Sequence, residues 1–376
     1  VDIAILGSRG IPARYGGYET LVEELAAGLT ESGAFRVTVY CRSAYYPERL
    51  RSYRGAYLVY LPSSRMKGGE SLIHTFLSTL HVLGTKADLV YLVDPANAPF
   101  CFLLRVFGRK VVLHTDGLGW KRQKWGPLAR RYYRFVEWLT ARTANALVTD
   151  SPVMQAYYRQ EYNADSFYIA YGAANAYGVD DTIYKEHGLV PFKYLLVVAR
   201  LEPENNTTLI VEEYVRSGVK IPLVVVGNSP YGPNYMARLR GLASERVLFI
   251  GRIDDQAKLN ALYRGAYAYI HGHEVGGTNP SLLRAMNAGT AVAVLDVQFN
   301  TSVVGEAGFA FAKDRGCLSG LLQRLITFPQ EIRDRGVRAQ VRVDENFTWE
   351  KVVRDHALLF QNVAAGKLER RDQATS

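Results

Sequence analysis

"VDIAILGSRGIPARYGGYETLVEELAAGL", residues 1–29, decides the fold. The first six residues are a short apolar run rich in β-branched side chains, which reads as a strand. A glycine-bearing loop follows, and then Leu21, Leu25 and Leu29 recur at helical spacing. Gly33 closes that helix and "FRVTVYC" supplies the next strand. Downstream, "ADLVYLVD", "RKVVLHTD" and "ANALVTDS" are further apolar runs that stop at an Asp or just beyond it, with helical segments between them. Such alternation implies a parallel sheet covered on both faces. The pattern restarts after Tyr184 with "FKYLLVVARL", "IPLVVVGN", "RVLFIGRI", "AYAYIHGH" and "TAVAVLD", separated by helices such as Asp255 to Gly265 and Pro280 to Ala288. The chain is therefore α/β, with two doubly wound Rossmann-like domains.

The length of 376 residues suits two domains of roughly 150 to 200 residues each. Hydrophobic residues make up 48% and charged residues 22%, which excludes a disordered or membrane-embedded chain. The most apolar stretch, Ala87 to Gly108, is broken by Asp88, Asp94, Pro95, Pro99 and Arg105. A spanning helix needs about 20 uninterrupted apolar residues. Neither a transmembrane segment nor a signal peptide is expected. Cys41, Cys101 and Cys317 are far apart and form no CxxC or Cys/His cluster, so no zinc site, no disulfide framework and a reducing cytoplasm are expected. The net charge of +9 fits nucleic acid, an anionic membrane surface or phosphate-bearing ligands, and only its distribution can separate them.

In open α/β sheets ligands bind beyond the carboxyl ends of the strands. Two such domains facing each other make a cleft. In "YIHGHEVGGTNPSLLRAMNAG", residues 269–289, Gly276 and Gly277 allow close backbone approach, Thr278 or Asn279 can cap, and Pro280 suits the first helical position. The helix N-terminus offers unpaired N–H groups to a phosphate or diphosphate; a plain capped helix is the alternative. The loop "GSRGIPARYGGYE" matches neither a dinucleotide fingerprint nor a P-loop. Arg200 in "VVARLEPENN" ends a strand, where it can grip phosphate bidentately or make a surface salt bridge. His114 and Asp116 in "VVLHTDGLGW" end a strand of the first domain and are expected to face the same cleft.

Taken together, "GIPARYGGYETLVEELA", "VLHTDGLGWKRQKWG", "ARLEPENN", "LFIGRI" followed by "LNALYRGAYAYIHGH", and "GGTNPSLLRAMNAG" resemble family 4 of the retaining GT-B glycosyltransferases, in the bacterial rhamnosyltransferase-like subgroup. The resemblance covers nearly the whole chain in order. It implies a GT-B architecture, with an acceptor-side domain over residues 1–175, a nucleotide-sugar domain over 190–345, a terminal helix over 346–366 and a tail over 367–376. It also implies transfer of rhamnose, glucose or a similar sugar from a nucleotide diphosphate sugar to a glycan or lipid-linked acceptor, with retention, no metal and no cofactor beyond that co-substrate. Carried over, Gly16 and Gly17 would approach the donor phosphates, His114 and Asp116 would lie near the transferred sugar, and Arg200 would bind the diphosphate. Gly251, Arg252 and Ile253 would line the nucleobase pocket, with Gly227 and Asn228 beside them. Gly276, Gly277, Thr278 and Asn279 would contact sugar hydroxyls and diphosphate. Leaving-group stabilisation by these donors is then the largest catalytic contribution.

Three positions depart from the pattern. Asn205 stands where a phosphate-binding lysine is usual, Arg284 where a ribose-binding glutamate is usual, and Gly119 where the subgroup has glutamate. Arg284 either grips phosphate in place of the missing lysine or pairs with Glu274 over a degraded site. A GT-B protein that binds a ligand or partner without transfer is the second reading; an epimerase and a phosphorylase are weaker ones. Finally, "WKRQKWGPLARRYYR", residues 120–134, joins Lys121, Arg122, Lys124, Arg130, Arg131 and Arg134 to Trp120, Trp125, Tyr132 and Tyr133 with no acidic residue. This patch predicts contact with an anionic membrane or the acceptor, at the inner face of the membrane. The competing reading is a solvated helix face with core aromatics. No motif for nucleic acid accompanies the patch.

Overall fold

The computed structural model describes residues 1–14, 16–63, 69–121, 126–174, 178–229 and 233–368. The chain forms two compact units, Val1–Gly172 together with the segment from Trp349 onward, and Ala173–Thr348. In chain order the first unit contains β1 (Asp2–Leu6), α1 (Gly17–Glu31), β2 (Arg36–Arg42), β3 (Ser52–Tyr53), β4 (Ala56–Leu61), α2 (Glu70–Leu83) and β5 (Leu89–Val93). It continues with α3 (Ala98–Val106), β6 (Lys110–Thr115), α4 (Pro127–Thr143), β7 (Ala146–Thr149), α5 (Pro152–Tyr162) and β8 (Phe167–Tyr168). The strand order is β3-β4-β2-β1-β5-β6-β7-β8, parallel except for β3 against β4. β5 is buried at every position, as a strand covered on both faces must be. Because β1 to β2 runs one way along the sheet and β4 to β8 the other, right-handed crossovers place α1 on one face and α2 to α5 on the opposite one.

The second unit runs α6 (Thr182–Glu186), β9 (Leu195–Val198), α7 (Thr207–Ser217), β10 (Leu223–Val226), α8 (Pro233–Leu242), β11 (Val247–Gly251) and α9 (Gln256–Arg264). After these come β12 (Ala268–His271), α10 (Pro280–Asn287), β13 (Val292–Leu295), α11 (Gln298–Val304), β14 (Phe309–Phe311), α12 (Cys317–Thr327) and α13 (Pro329–Asn346). Its sheet, β11-β10-β9-β12-β13-β14, is wholly parallel, with Leu195, Val197, Leu223, Val225, Ile270 and Ala293 in the core. Both sheets are doubly wound as the alternation of elements requires. The switch points fall between β1 and β5 and between β9 and β12.

The terminal helix, expected over 346–366 as an element of its own, is α14 (Trp349–Ala364) and packs into the first unit. Val352, His356, Leu359, Phe360 and Val363 bury one stripe of it. Gly28 of α1 makes this close contact sterically feasible, since a Cβ there would lie 2.6 Å from Val353 Cγ2.

Candidate active site

The carboxyl ends of β9 and β12 flank the switch point of the second sheet, where ligands of such sheets bind. Arg200 follows β9 with a half-exposed guanidinium whose Nη1 lies 3.4 Å from the buried Glu202 carboxylate. His271 ends β12, and its ring stacks on that of His273 at 4.2 Å. Burial, then the Arg200 guanidinium, pushes His273 down to about 3, so the ring is neutral beside a fixed positive charge. His271 is likewise held well below its ordinary value, by burial first and His273 second. Nε2 of His271, Nδ1 of His273 and both carboxylate oxygens of Glu204 are buried without a hydrogen-bond partner among the described residues. Glu204 is tied to this loop through its carbonyl, which accepts from Glu274 N–H at 3.0 Å. Unpaired buried polar atoms cost about 1 to 3 kcal/mol each, and those gathered here are groups that a polar ligand or water would satisfy.

Opposite them starts α10, with Pro280 as its first residue. Asn279 is the N-cap: its Oδ1 accepts from Ser281 N–H at 3.0 Å and from Ser281 Oγ–H at 2.8 Å. Thr278 is buried beside it. The Tyr269 hydroxyl joins Ser281 Oγ (3.0 Å) to His271 Nδ1 (3.1 Å), linking the helix start to the end of β12. Gly276 and Gly277 come before the cap without side chains, so a ligand can approach the backbone closely there. Gly227 is demanded by packing, because a Cβ there would sit 1.8 Å from the Ala199 carbonyl oxygen at φ +141°. Asn228 accepts Leu201 N–H through its carbonyl, and Gly251 ends β11 next to Arg252, which pairs with Asp254 at 2.5 Å, and Ile253.

In the first unit, Gly16 at φ +105° sits before α1, which has no side-chain cap. Gly17 opens the helix and Glu19 is buried in its first turn, where it accepts Arg9 N–H at 3.3 Å. Burial raises Glu19 above the usual carboxylate range. His114 lies buried near the end of β6 among the rings of Tyr18, Tyr91, Tyr171 and His356. Its Nδ1 is 2.7 Å from Tyr91 Oη, which is also 3.0 Å from His356 Nε2, and His356 Nδ1 is 2.8 Å from the Val352 carbonyl. Burial holds both imidazoles neutral, His356 at about 4. A carbonyl only accepts, so His356 Nδ1 carries its proton, Tyr91 donates to His356 Nε2, and His114 Nδ1 donates to Tyr91. His114 Nε2 is then a buried, unprotonated acceptor without a hydrogen-bond partner among the described residues. Asp116 follows β6 and donates its backbone N–H to Tyr18 Oη at 3.1 Å.

The three departures from the family pattern have structural partners, and the Arg284 reading changes. Arg284 does not lean toward the start of α10, nor does it pair with Glu274, whose partner is Lys313 at 2.5 Å. Its guanidinium turns to α9, where Nε and Nη2 donate to Asn260 Oδ1 (2.9 and 2.6 Å) and Nη1 to Gln256 Oε1 (2.7 Å). Nη2 also reaches the Gln256 carbonyl at 3.1 Å, and the group lies 5.7 Å from the centre of the Tyr263 ring. These fixed acceptors engage four of the five N–H donors of a planar fork that would otherwise suit phosphate. Asn205 is buried, and its Nδ2 closes the loop by donating to the Arg200 carbonyl at 2.7 Å. Gly119 carries no carboxylate because Tyr133 occupies that space, with Cδ1 only 2.9 Å from where a Cβ would be.

Within the basic patch, Trp120 donates to Tyr157 Oη at 3.3 Å and carries the Arg134 guanidinium 4.4 Å from its ring centre, with Lys121 Nζ at 5.5 Å. Arg130 and Arg131 are exposed on α4. Arg122, Lys124 and Trp125 lie outside the described residues. Sequence reasoning missed Glu19, Tyr91, Glu204, His271, His273 and His356. Their strands and helices were legible, but nothing in a linear pattern distinguishes a buried histidine with an orphaned nitrogen from one that is satisfied.

Residues 1–174 match a family model described as "Domain of unknown function (DUF1972)", and residues 192–327 match one described as "Glycosyl transferases group 1". No curated protein matches the chain by sequence. Among solved structures, sucrose-phosphate synthase from Thermosynechococcus elongatus superimposes with a TM-score of 0.81 at 20% identity, over 97% of this chain and 99% of that one. HepE from Anabaena, in complex with UDP, gives 0.76 at 15% identity over 96% and 100%. WaaG, a glycosyltransferase involved in lipopolysaccharide biosynthesis, gives 0.72 at 16% identity over 95% and 99%. At these identities the likeness shows the fold, which is GT-B, and the match to the glycosyl transferases group 1 model lies within the second unit.

Proposed function

We propose that the chain is a retaining, metal-independent glycosyltransferase that moves a hexose or 6-deoxyhexose, rhamnose or glucose in kind, from a nucleotide diphosphate sugar to a glycan or lipid-linked acceptor. The observation that carries this reading is the junction at β9 and β12, where Arg200, a pair of neutral histidines and the glycine-prefaced start of α10 fall within the glycosyl transferases group 1 segment. HepE has been crystallised with UDP-glucose, and a diphosphate is the ligand that an arginine and helix-terminal amides suit. In that role the amides of Gly277 to Asn279 and the Arg200 guanidinium take up charge on the leaving diphosphate. His114 Nε2 accepts from a hydroxyl of the transferred sugar.

Isothermal titration with UDP, dTDP and their sugars tests the reading. Arg200→Ala weakens nucleoside diphosphate binding by about 1.5 to 3 kcal/mol, the range for hydrogen bonds to a charged group. Unchanged affinity removes Arg200 from the site, and absence of binding by any nucleotide removes the reading. A second reading, a GT-B protein that binds without transfer, draws on Arg284: the helix position that carries a glutamate in the resembling family is a cation committed to α9. Release of nucleoside diphosphate under acceptor-saturating conditions separates the two.

A further inference from the structure

α2 is built inside out. Its inner face carries His74, Thr75, Ser78 and Thr79 with only Val82 as a large apolar residue, while Ile73, Phe76 and Leu80 point to solvent at 43 to 50% exposure. Both ring nitrogens of His74 and the hydroxyls of Thr75 and Thr79 are buried without hydrogen-bond partners among the described residues. An ordinary surface helix does the reverse and turns its apolar stripe to the core. Next to it, α3 exposes Phe102 and Val106, with Phe107 just beyond its end. α4, which packs on α3, exposes Leu128, Phe135 and Trp138 along one stripe, the last two stacked at 6.0 Å. Phe76 and Phe100 touch between α2 and α3, at 6.2 Å between ring centres. Eight large apolar side chains on three adjacent helices of one sheet face, with Phe107 just beyond α3, therefore lie outward, more than scattered surface residues account for.

The charges around them have one sign. Arg105 on α3 and Arg130, Arg131, Arg134 and Arg142 on α4 are exposed, and none forms an ion pair among the described residues. The acidic residues on these helices are withdrawn: Glu137 is buried against Tyr157 and Tyr162, and Glu70 pairs with Arg42. The geometry points to the α2–α3–α4 face as a docking surface for an anionic lipid bilayer, the apolar side chains entering the headgroup boundary and the arginines meeting lipid phosphates. A second copy of the chain fits poorly, since a self-complementary contact there sets five unpaired arginines against five more. The inference goes beyond the transferase reading and does not depend on it.

Co-sedimentation of the full chain with phosphatidylcholine vesicles, and with vesicles containing an equal part of phosphatidylglycerol, tests it. The wild type pellets with the anionic vesicles only, and its affinity falls as salt rises. Each of Arg105→Gln, Arg130→Gln and Arg131→Gln weakens binding about fivefold, the factor equivalent to about 1 kcal/mol per surface cation. Phe107→Ser with Leu128→Ser weakens it while circular dichroism and Tm stay unchanged, because both side chains are already in solvent. Equal partition to neutral and anionic vesicles, or no pelleting with either, overturns the proposal. So does a dimer in analytical ultracentrifugation that the serine variant dissolves. A chain that pellets but binds no nucleotide refutes the transferase reading alone.

Discussion

Replacing Arg284 probes whether this residue serves a ligand or the fold. Its four donated bonds end on two residues of α9, but they differ in weight. Gln256 is exposed, so water replaces the guanidinium at its side chain at little cost. Asn260 is 4% exposed, and its Oδ1 accepts two of the four bonds. Arg284→Met keeps the buried stem and removes both bonds to that oxygen, at about 2 to 3 kcal/mol for hydrogen bonds to a charged group. Turning the Asn260 amide over does not rescue it, because Nδ2 already donates to the Gly178 carbonyl at 3.1 Å. For a unit of this size each kcal/mol lowers Tm by about 2 to 4 °C, so the unfolding of the second unit moves down by roughly 5 to 10 °C. Arg284→Glu costs more, since it turns a carboxylate toward two acceptors. UDP affinity of the folded Arg284→Met protein stays within about twofold. Differential scanning calorimetry and titration calorimetry read the two quantities. An unchanged Tm for Arg284→Met, or a Tm for Arg284→Glu above wild type, refutes the clip, and a large loss of UDP affinity in a stable variant returns Arg284 to the ligand.

Two further outcomes follow from buried titratable groups of the first unit. Burial pushes Glu137 up to about 7 even though Tyr157 and Tyr162 donate to it, while the unfolded carboxyl titrates near 4.5. The native state therefore holds the extra proton between these values, and stability falls as pH rises from about 4.5 to about 7, by about 3 kcal/mol at most; Glu137→Gln flattens that slope in urea titrations, and an identical slope in the variant rejects it. His356→Leu removes the acceptor for Tyr91, so the hydroxyl donates to His114 Nδ1 and the proton of His114 moves to Nε2. 15N NMR shows the reversal, His356→Gln restores the wild-type pattern, and a wild-type His114 protonated on Nε2 contradicts the relay.

The sequence by itself determined the two doubly wound sheets. Apolar runs of strand length that end at glycine or aspartate, alternating with helical periods, leave a parallel sheet as the structure that buries every strand on both faces. It also determined the glycine-prefaced start of α10, because Pro280 and the cap at Asn279 act within one turn. Tertiary structure decided what individual polar side chains do. Arg284 has a spacing that points it at the helix start, yet acceptors 24 and 28 residues away in sequence, on α9, bind its guanidinium instead. Gly119 is small because Tyr133, one helix on, fills its space. The burial of α14 against α1 through Gly28, and with it the chain from Val352 through His356 and Tyr91 to His114, joins residues more than 200 positions apart. The same limit hid the outward apolar face of α2, since a helical period records which residues share a side but not which side meets the sheet. That choice is made by the packing of α2 beside α3, where polar residues went inward at a cost in unpaired hydrogen-bonding groups.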